Sequence, residues 1–546
     1  MKKIFMVFTV ALTFMASCKK TDLQLNNPNS PTPAGSLTSQ IGIEDYALGM
    51  WSKTVVSNNL LVHGLVIHSI MGDEQFSSVG NFGWRYCNQV DKITTPAPYN
   101  NVVPNVFNTT QLAQLKSLNT LGSSAASVAS NAFVWEWNFG YFINGQANVL
   151  LKAIADNPSA LSATEKATLQ AWAYWWKGVG YSRVGSMYLA GVINNSPDGT
   201  TNSTFVAHDA IIAEANANFD KAIALLTPIS ATDATYKSTL GVIIPSFNVT
   251  TTFITPAMWI REMYTYEARN YMVNKKVAAM TTADWTTVRD LALKGLVAGD
   301  VTFSLGMDPA GSNDLSGSQQ HPYEWDSFTA NNGWTYPSER WVQDFKTGDA
   351  RFTKGVTALN ASQVVVNRSS RGIQFGTRYM LTTIENGGYW STDNHKGQVQ
   401  FACSWEENNL ILAEAYIRTS QIEIGLPYID QVRSVNGASL AAIANTGLGF
   451  PAAIEELRRE RRVALFLRGT AFFDARRNGV TAPVSAGGGR AGAIVLVPNS
   501  ITGATPSTGY QALACVMDYN YADYWDVPIT ELSYNTPALG SAVVAN

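Results

Sequence analysis

The stretch LQAWAYWWKGVGYSRVGSMYL, residues 169–189, sets Trp172, Trp175, Trp176 and Val179 at the i, i+3, i+4, i+7 spacing of one helical face. A half-buried strand would place its apolar residues at every second position, so the stretch predicts an amphipathic helix with a tryptophan stripe. The pattern returns in MWIREMYTYEARNYMV (258–273) through Trp259, Met263 and Tyr266, and in LILAEAYIR (410–418) through Leu410, Ala413 and Ile417. HDAIIAEANANFDKAIALL (208–226) predicts a further helix whose small residues face a neighbour. The helical tryptophans read as core, because Trp is highly buried on average.

Several amphipathic helices of this length predict a mainly α chain of stacked, tetratricopeptide-like hairpins with long irregular loops and a little β. Long Gly/Asn/Ser/Thr segments lie between the helices, at 77–131, 191–206, 300–340, 357–400 and 480–524. Loops this long are uncommon in compact domains unless they carry function. No domain boundary is visible. At 546 residues and 46% hydrophobic content the chain can bury an ample core. Its mean hydropathy of −0.03 is that of a globular protein. The net charge is −3. That balance argues against nucleic acid as a partner, since such affinity comes largely from neutralising phosphates. The 15 Trp, 22 Tyr and 23 Phe include rings to spare for flat or apolar ligand faces. Cys18, Cys87, Cys403 and Cys515 have neither zinc spacing nor the number for a disulfide framework.

The chain opens MKKIFMVFTVALTFMASC. Two lysines before a short apolar run predict a signal peptide, residues 1–17, too short to span a bilayer. Met15-Ala16-Ser17-Cys18 resembles the lipobox of bacterial lipoproteins, which implies that Cys18 is lipidated and becomes the first residue. Acyl chains contribute about 0.8 kcal/mol per buried CH₂, so several on one cysteine would moor the protein stably. Loss of Lys2 and Lys3 would leave 36 basic against 41 acidic residues. The polar, Pro-punctuated TDLQLNNPNSPTPAGS (21–36) reads as a flexible leash, making 18–36 lipidated cysteine and leash and 37–546 a single ligand-binding domain.

Motifs of chemistry fail on context. GGGRAG (487–492) matches G-x-G-x-x-G, but a polar stretch precedes it and the strand-like AIVLVP comes after it, the reverse of a dinucleotide site. No cofactor is expected. His63 and His68 are five apart, the wrong spacing for two metal ligands on one helical face, and no metal is expected. A glycosidase needs two carboxylates across one bond, whereas Asp73-Glu74 and Glu406-Glu407 are adjacent pairs whose side chains diverge on regular structure. No catalytic residue is assigned, and the chain is not expected to be an enzyme.

In AAIEELRRERRVALFLRGTAFFDARRNG (452–479), seven arginines fall between Arg458 and Arg477. Glu455 precedes Arg458 and Arg459 by three and four residues, and Glu456, Glu460 and Asp474 interleave the others. Mixed signs at this spacing predict an internal ion-pair lattice and a poor anion site, with Gly469 ending the helix and Phe472-Phe473 supplying an apolar anchor beyond it. The stretch resembles the C-terminal signature of the SusD/RagB family of surface lipoproteins, through Glu460-Arg461-Arg462, Leu465, Phe466, Gly469, Phe473-Asp474 and Arg476-Arg477. Arg468 stands where relatives carry glutamate. WNFGYFINGQANVLL (137–151), FDKAIALL (219–226), FKTGDARF (345–352), LILAEAYIR, YIDQVRSVNG (428–437) and WDVPITELSYNTPAL (525–539) are similar to further family segments in the same order.

The resemblance implies a lipid-anchored outer-membrane receptor facing the cell surface. It would break no bonds, and would hand glycans, or in some branches peptides, to a SusC-like TonB-dependent transporter. A tethered polysaccharide hydrolase is the alternative from another class. A sugar presents a C–H face that packs on an aromatic ring and hydroxyls that need polar partners. Loop context therefore selects Trp84 and Tyr86 with Asp73 and Asn81 in GDEQFSSVGNFGWRYCNQ (72–89). It also selects Trp325, Trp334 and Tyr336 in HPYEWDSFTANNGWTYPSERW (321–341), and Trp390 in ENGGYWSTDN (385–394).

Overall fold

The computed structural model describes residues 33–51, 60–78, 83–107, 109–121, 131–244, 253–307, 335–382, 397–400 and 402–546. Cys18 and residues 1–32 of the expected signal peptide and leash lie outside the described residues.

The helices include α1 (Gln40–Trp51), α2 (Leu60–Met71), α3 (Val134–Asp156), α4 (Ala163–Met187), α5 (His208–Leu226), α6 (Pro256–Val273), α7 (Thr282–Ala292), α8 (Trp405–Arg418), α9 (Ile422–Val435), α10 (Phe450–Ala464) and α11 (Ala471–Arg477). Consecutive helices pair as α3/α4, α6/α7 and α8/α9, the stacked hairpins that the periodicity predicts. The tryptophan stripe belongs to α4, which starts earlier than its apolar positions, at a reciprocal capping box between Ser162 and Glu165. Trp172, Trp175 and Trp176 are fully buried, as is Trp259 from α6. Trp172 and Trp175 stack at 5.4 Å, and Trp176 meets Trp175 edge-on at 4.7 Å. Pairs of this kind contribute roughly 0.5–1.5 kcal/mol each beyond the area they bury.

Glycines let the neighbours of α4 come close. A Cβ at Gly180 would lie 2.8 Å from the Gly140 carbonyl oxygen of α3, and one at Gly178 would lie 2.3 Å from the Phe219 ring of α5. Neither helix could pack at this distance against a larger residue.

The β ladders are small and antiparallel, and beside three further two-stranded pairs they comprise β1 (Gln75–Ser77), β2 (Lys92–Thr94), β3 (Val102–Pro104), β4 (Thr335–Pro337), β5 (Val365–Val366), β6 (Gly376–Thr377), β7 (Arg490–Pro498) and β8 (Tyr510–Asp518). Six of these make one sheet in the order β3-β2-β8-β7-β6-β5, while β1 pairs with β4. The expected loop 480–524 therefore holds the β7/β8 hairpin, with Ile494 opposite Ala514. Its central strand is buried at Val495, Leu496 and Val497 alike, which erases the alternation by which a strand is recognised.

The arginine-rich stretch is two helices, not one. α10 stops at Ala464, five residues before Gly469. Both Leu467 (φ 57°) and Gly469 (φ 69°) are left-handed in the connecting turn. Such a conformation is uncommon for a leucine, and here its side chain is fully buried while its N–H faces Glu74 Oε2 at 3.4 Å.

Candidate functional site

Asn81, Trp325, Trp334 and Trp390 lie outside the described residues. Three other expected contacts belong to the interior. Trp84 is fully buried, with its ring 6.0 Å from His63, which in turn stacks on Trp135 at 4.0 Å. Tyr336 is 1% exposed, in register with Phe76 across the β1/β4 ladder. Asp73 turns the chain out of α2 in a left-handed conformation (φ 61°). Its carboxylate accepts from Arg340 Nε at 3.0 Å, Arg340 Nη2 at 2.8 Å and the Tyr519 hydroxyl at 2.7 Å. Burial opposes its ionisation, but the charge of Arg340, with Arg490 and Arg462 beyond it, holds the carboxyl below its ordinary value. These three side chains are buried in this structure and pin their own loops to the core.

Tyr86 differs. In the short helix Trp84–Cys87, Trp84 and Cys87 are one turn apart and point inward, which turns Arg85 and Tyr86 toward solvent. The half-buried Tyr86 ring lies 5.9 Å from Phe107, tilted by 47°, and Phe107 is 36% exposed. The Arg85 guanidinium sits 4.5 Å over the Tyr86 ring, and its Nη2 donates to the Tyr86 hydroxyl. Arg85 Nε is buried and has no hydrogen-bond partner among the described residues.

A buried polar brace holds this corner. Asn105 is 5% exposed; its Oδ1 accepts the Phe107 N–H at 3.1 Å, a side-chain turn that fixes the ring two residues on. Its Nδ2 donates to Gln111 Oε1 at 3.3 Å, and Gln111 Nε2 donates to the Tyr86 carbonyl. Thr110 caps the helix Gln111–Leu118 by accepting from the Ala113 N–H at 3.2 Å. Two tilted rings and a guanidinium thus share one rigid mount. Phe107 was missed by sequence reasoning, although Asn105 two residues ahead of it, inside the long 77–131 loop, carries the signal of an Asx turn.

The adjacent acidic pairs face inward. Burial pushes the Glu74 carboxyl up to about 8, with the Ser69 hydroxyl donating to it at 2.9 Å. Glu407 accepts from Arg269 Nε at 2.6 Å, and Glu406 pairs with Arg468 at 3.2 Å. Arg468, which replaces the glutamate of relatives, thus finds its opposite charge on α8. The rest of the stretch is also lattice. Arg477 bridges Glu414 (2.6 Å) and Asp474 (2.8 Å), while Arg351 and Arg433 both hold Glu460.

No protein-family model matches the sequence, and no curated protein matches it. Solved structures do. A SusD-like protein from Bacteroides fragilis NCTC 9343 superposes with a TM-score of 0.56 at 12% identity, over 94% of this chain and 100% of that one. Surface glycan-binding protein A from Bacteroides thetaiotaomicron gives 0.53 at 12%, over 91% and 98%. A structure with xylogluco-oligosaccharide gives 0.52 at 12%, over 92% and 99%. At such identities the likeness is one of fold, and it extends over the helical hairpins and the small sheet together. This chain has the fold of the SusD-like proteins.

Proposed function

We propose that the protein is a non-enzymatic, cell-surface glycan receptor that captures oligosaccharides and passes them to a TonB-dependent outer-membrane transporter. Residues 37–546 would form one binding unit, moored through a lipid on Cys18. The observation that carries the reading is the Tyr86–Phe107 pair. Its rings are half-buried (Tyr86) and 36% exposed (Phe107) while most large aromatics among the described residues are buried, and the Asn105–Gln111 brace holds them in place. A sugar ring packs its C–H face on such a pair, beside the Arg85 guanidinium that lies over Tyr86. Fold likeness to a surface glycan-binding protein and to a structure with xylogluco-oligosaccharide supports the same reading. Trp325, Trp334 and Trp390 are proposed as further contacts.

Native electrophoresis of the purified chain through a panel of glycans tests the proposal. Retarded migration on at least one glycan without shortening of its chains is the expected result. Tyr86→Ala and Phe107→Ala should each weaken binding about 2–10-fold, the worth of one aromatic contact at ~0.5–1.5 kcal/mol. Release of shortened products would favour a hydrolase. Unchanged retardation in both variants would remove this corner as the site. Cys18→Ala should shift the protein from the membrane to the soluble fraction, when expressed without its transporter.

A further inference from the structure

A cavity of about 280 Å³ lies where α8, α10, α11 and the start of β7 meet. Its floor includes Ile454 and Leu457, and arginines from four elements line it: Arg418, Arg461, Arg477 and Arg490 among them. The carboxylates around it do not balance these cations. The lining arginines, with Arg340 and Arg459 that share their partners, bring eight guanidinium groups to the five carboxylates Asp73, Asp344, Glu414, Glu455 and Asp474.

Donors are also left over. Arg461 is 4% exposed; Nε and Nη2 hold Asp474 at 2.8 and 3.1 Å, and its buried Nη1 has no hydrogen-bond partner. Arg418 Nε is likewise buried without a partner. Arg490 makes no side-chain hydrogen bond to any described residue, and its ion pair with Asp73 spans 3.8 Å, to a carboxylate that Arg340 already grips. Arg458, also in the lining, is 40% exposed at its side chain. Burial, and then the repulsion of Arg490, hold the Arg462 guanidinium below its ordinary value, whereas, against the opposing effect of burial, their carboxylate partners hold Arg458 and Arg477 above theirs. Buried donors of this kind are costly unless an acceptor meets them.

We infer that this cavity binds one small oxyanion, a carboxylate or sulfate group, through Arg490, whose side chain lines it and makes no hydrogen bond to a described residue, backed by the charges of Arg461 and Arg418. Such a group can arrive as an inorganic ion or on an acidic sugar, whose apolar face the Ile454 and Leu457 floor would cover. The site is separate in sequence and structure from the Tyr86–Phe107 corner.

Calorimetric titration of the Tyr86→Ala chain, in which sugar at the exposed rings contributes less, tests the inference. Sodium sulfate, sodium glucuronate and glucose are compared at constant ionic strength set with sodium chloride. Saturable one-to-one binding of sulfate or glucuronate, with none of glucose, is expected, and which anion binds better distinguishes the two sources. Arg490→Gln should weaken that binding about tenfold, as loss of a charge-assisted hydrogen bond does. Because the Arg490 side chain makes no hydrogen bond to a described residue, the fold should be retained, and an Arg418→Gln chain provides a second reading. Absence of saturable binding by both anions, or equal affinity in the parent and both arginine variants, would overturn the inference.

Discussion

The arginine lattice of α10 and α11 and the Tyr86–Phe107 corner are built from the same polar chemistry to opposite ends. At the heart of the lattice, arginines meet carboxylates in the interior and are almost wholly buried, as Arg477 is at 1% exposure between Glu414 and Asp474, while Arg458 and Arg459 pair with Glu455 at its exposed edge. At the corner, the buried polar groups are neutral amides, Asn105, Gln111 and Gln114, and what they hold steady is an accessible pair of rings. Charges inside fix helices to one another; amides inside fix a surface in place. A residue of the lattice is expected to matter to stability, and a residue of the corner to binding.

The contrast is sharpest at Arg477. Arg477→Met leaves Glu414 without its bidentate partner in the interior, and removing one member of a buried pair costs about 3–5 kcal/mol. Urea denaturation should record that loss as a lower midpoint. The double variant Arg477→Met/Glu414→Met should recover much of it, because an apolar pair of similar size needs no desolvated charge. A single-variant loss below about 1 kcal/mol would break the comparison. A smaller effect of the same sign is expected from Gly178→Val, whose side chain must displace the Phe219 ring lying 2.3 Å from the new Cβ, at about 1–3 kcal/mol for overpacking.

A buried carboxyl that has no ion pair behaves differently again. Glu262 on α6 accepts from Trp175 Nε1 at 2.7 Å, and burial pushes it up to about 8. The folded protein therefore holds a proton that the unfolded chain releases near 4.5. Stability from this group is complete below about 4.5 and is lost as pH rises through about 8. Glu74 acts in the same direction. His63, pushed by burial down to about 3, and His68, also lowered, give the opposite slope below the ordinary histidine value of 6.5. The comparison is therefore read between pH 6.5 and 8, where the melting temperature should fall with pH in the parent and fall less in Glu262→Gln. Parallel curves would show that Glu262 is already ionised across that window.

Local pattern made the helices legible and left their partners hidden. Residues 208–226 form α5 as their spacing predicts, because period and apolar face are local properties. Asp73 could not be recognised as structural, since its partner Arg340 is 267 residues away. Tyr336 depends in the same way on Phe76, and Trp84 on His63 and the helix behind it. Loop context suggests exposure, but a loop tryptophan more often ties the loop down. The fold likeness to SusD-like structures was legible through the ordered motifs of the chain, whereas a lattice of opposite charges conceals any local surplus until distances can be measured.

The smallest stability effect is expected at the corner. Phe107 is 36% exposed, and its position is set by its own N–H and by Asn105, not by what its ring touches in the interior. Phe107→Ala should thus change unfolding free energy by no more than about 0.5 kcal/mol, as surface substitutions do. Asn105→Ala should cost more, about 1–3 kcal/mol, because it strands the buried amides that its side chain now satisfies. It should also weaken glycan binding without touching the ligand. If Phe107→Ala proved the more destabilising of the two, the rings would be part of the core and the brace would be packing around them, which reverses the roles given to the two kinds of residue.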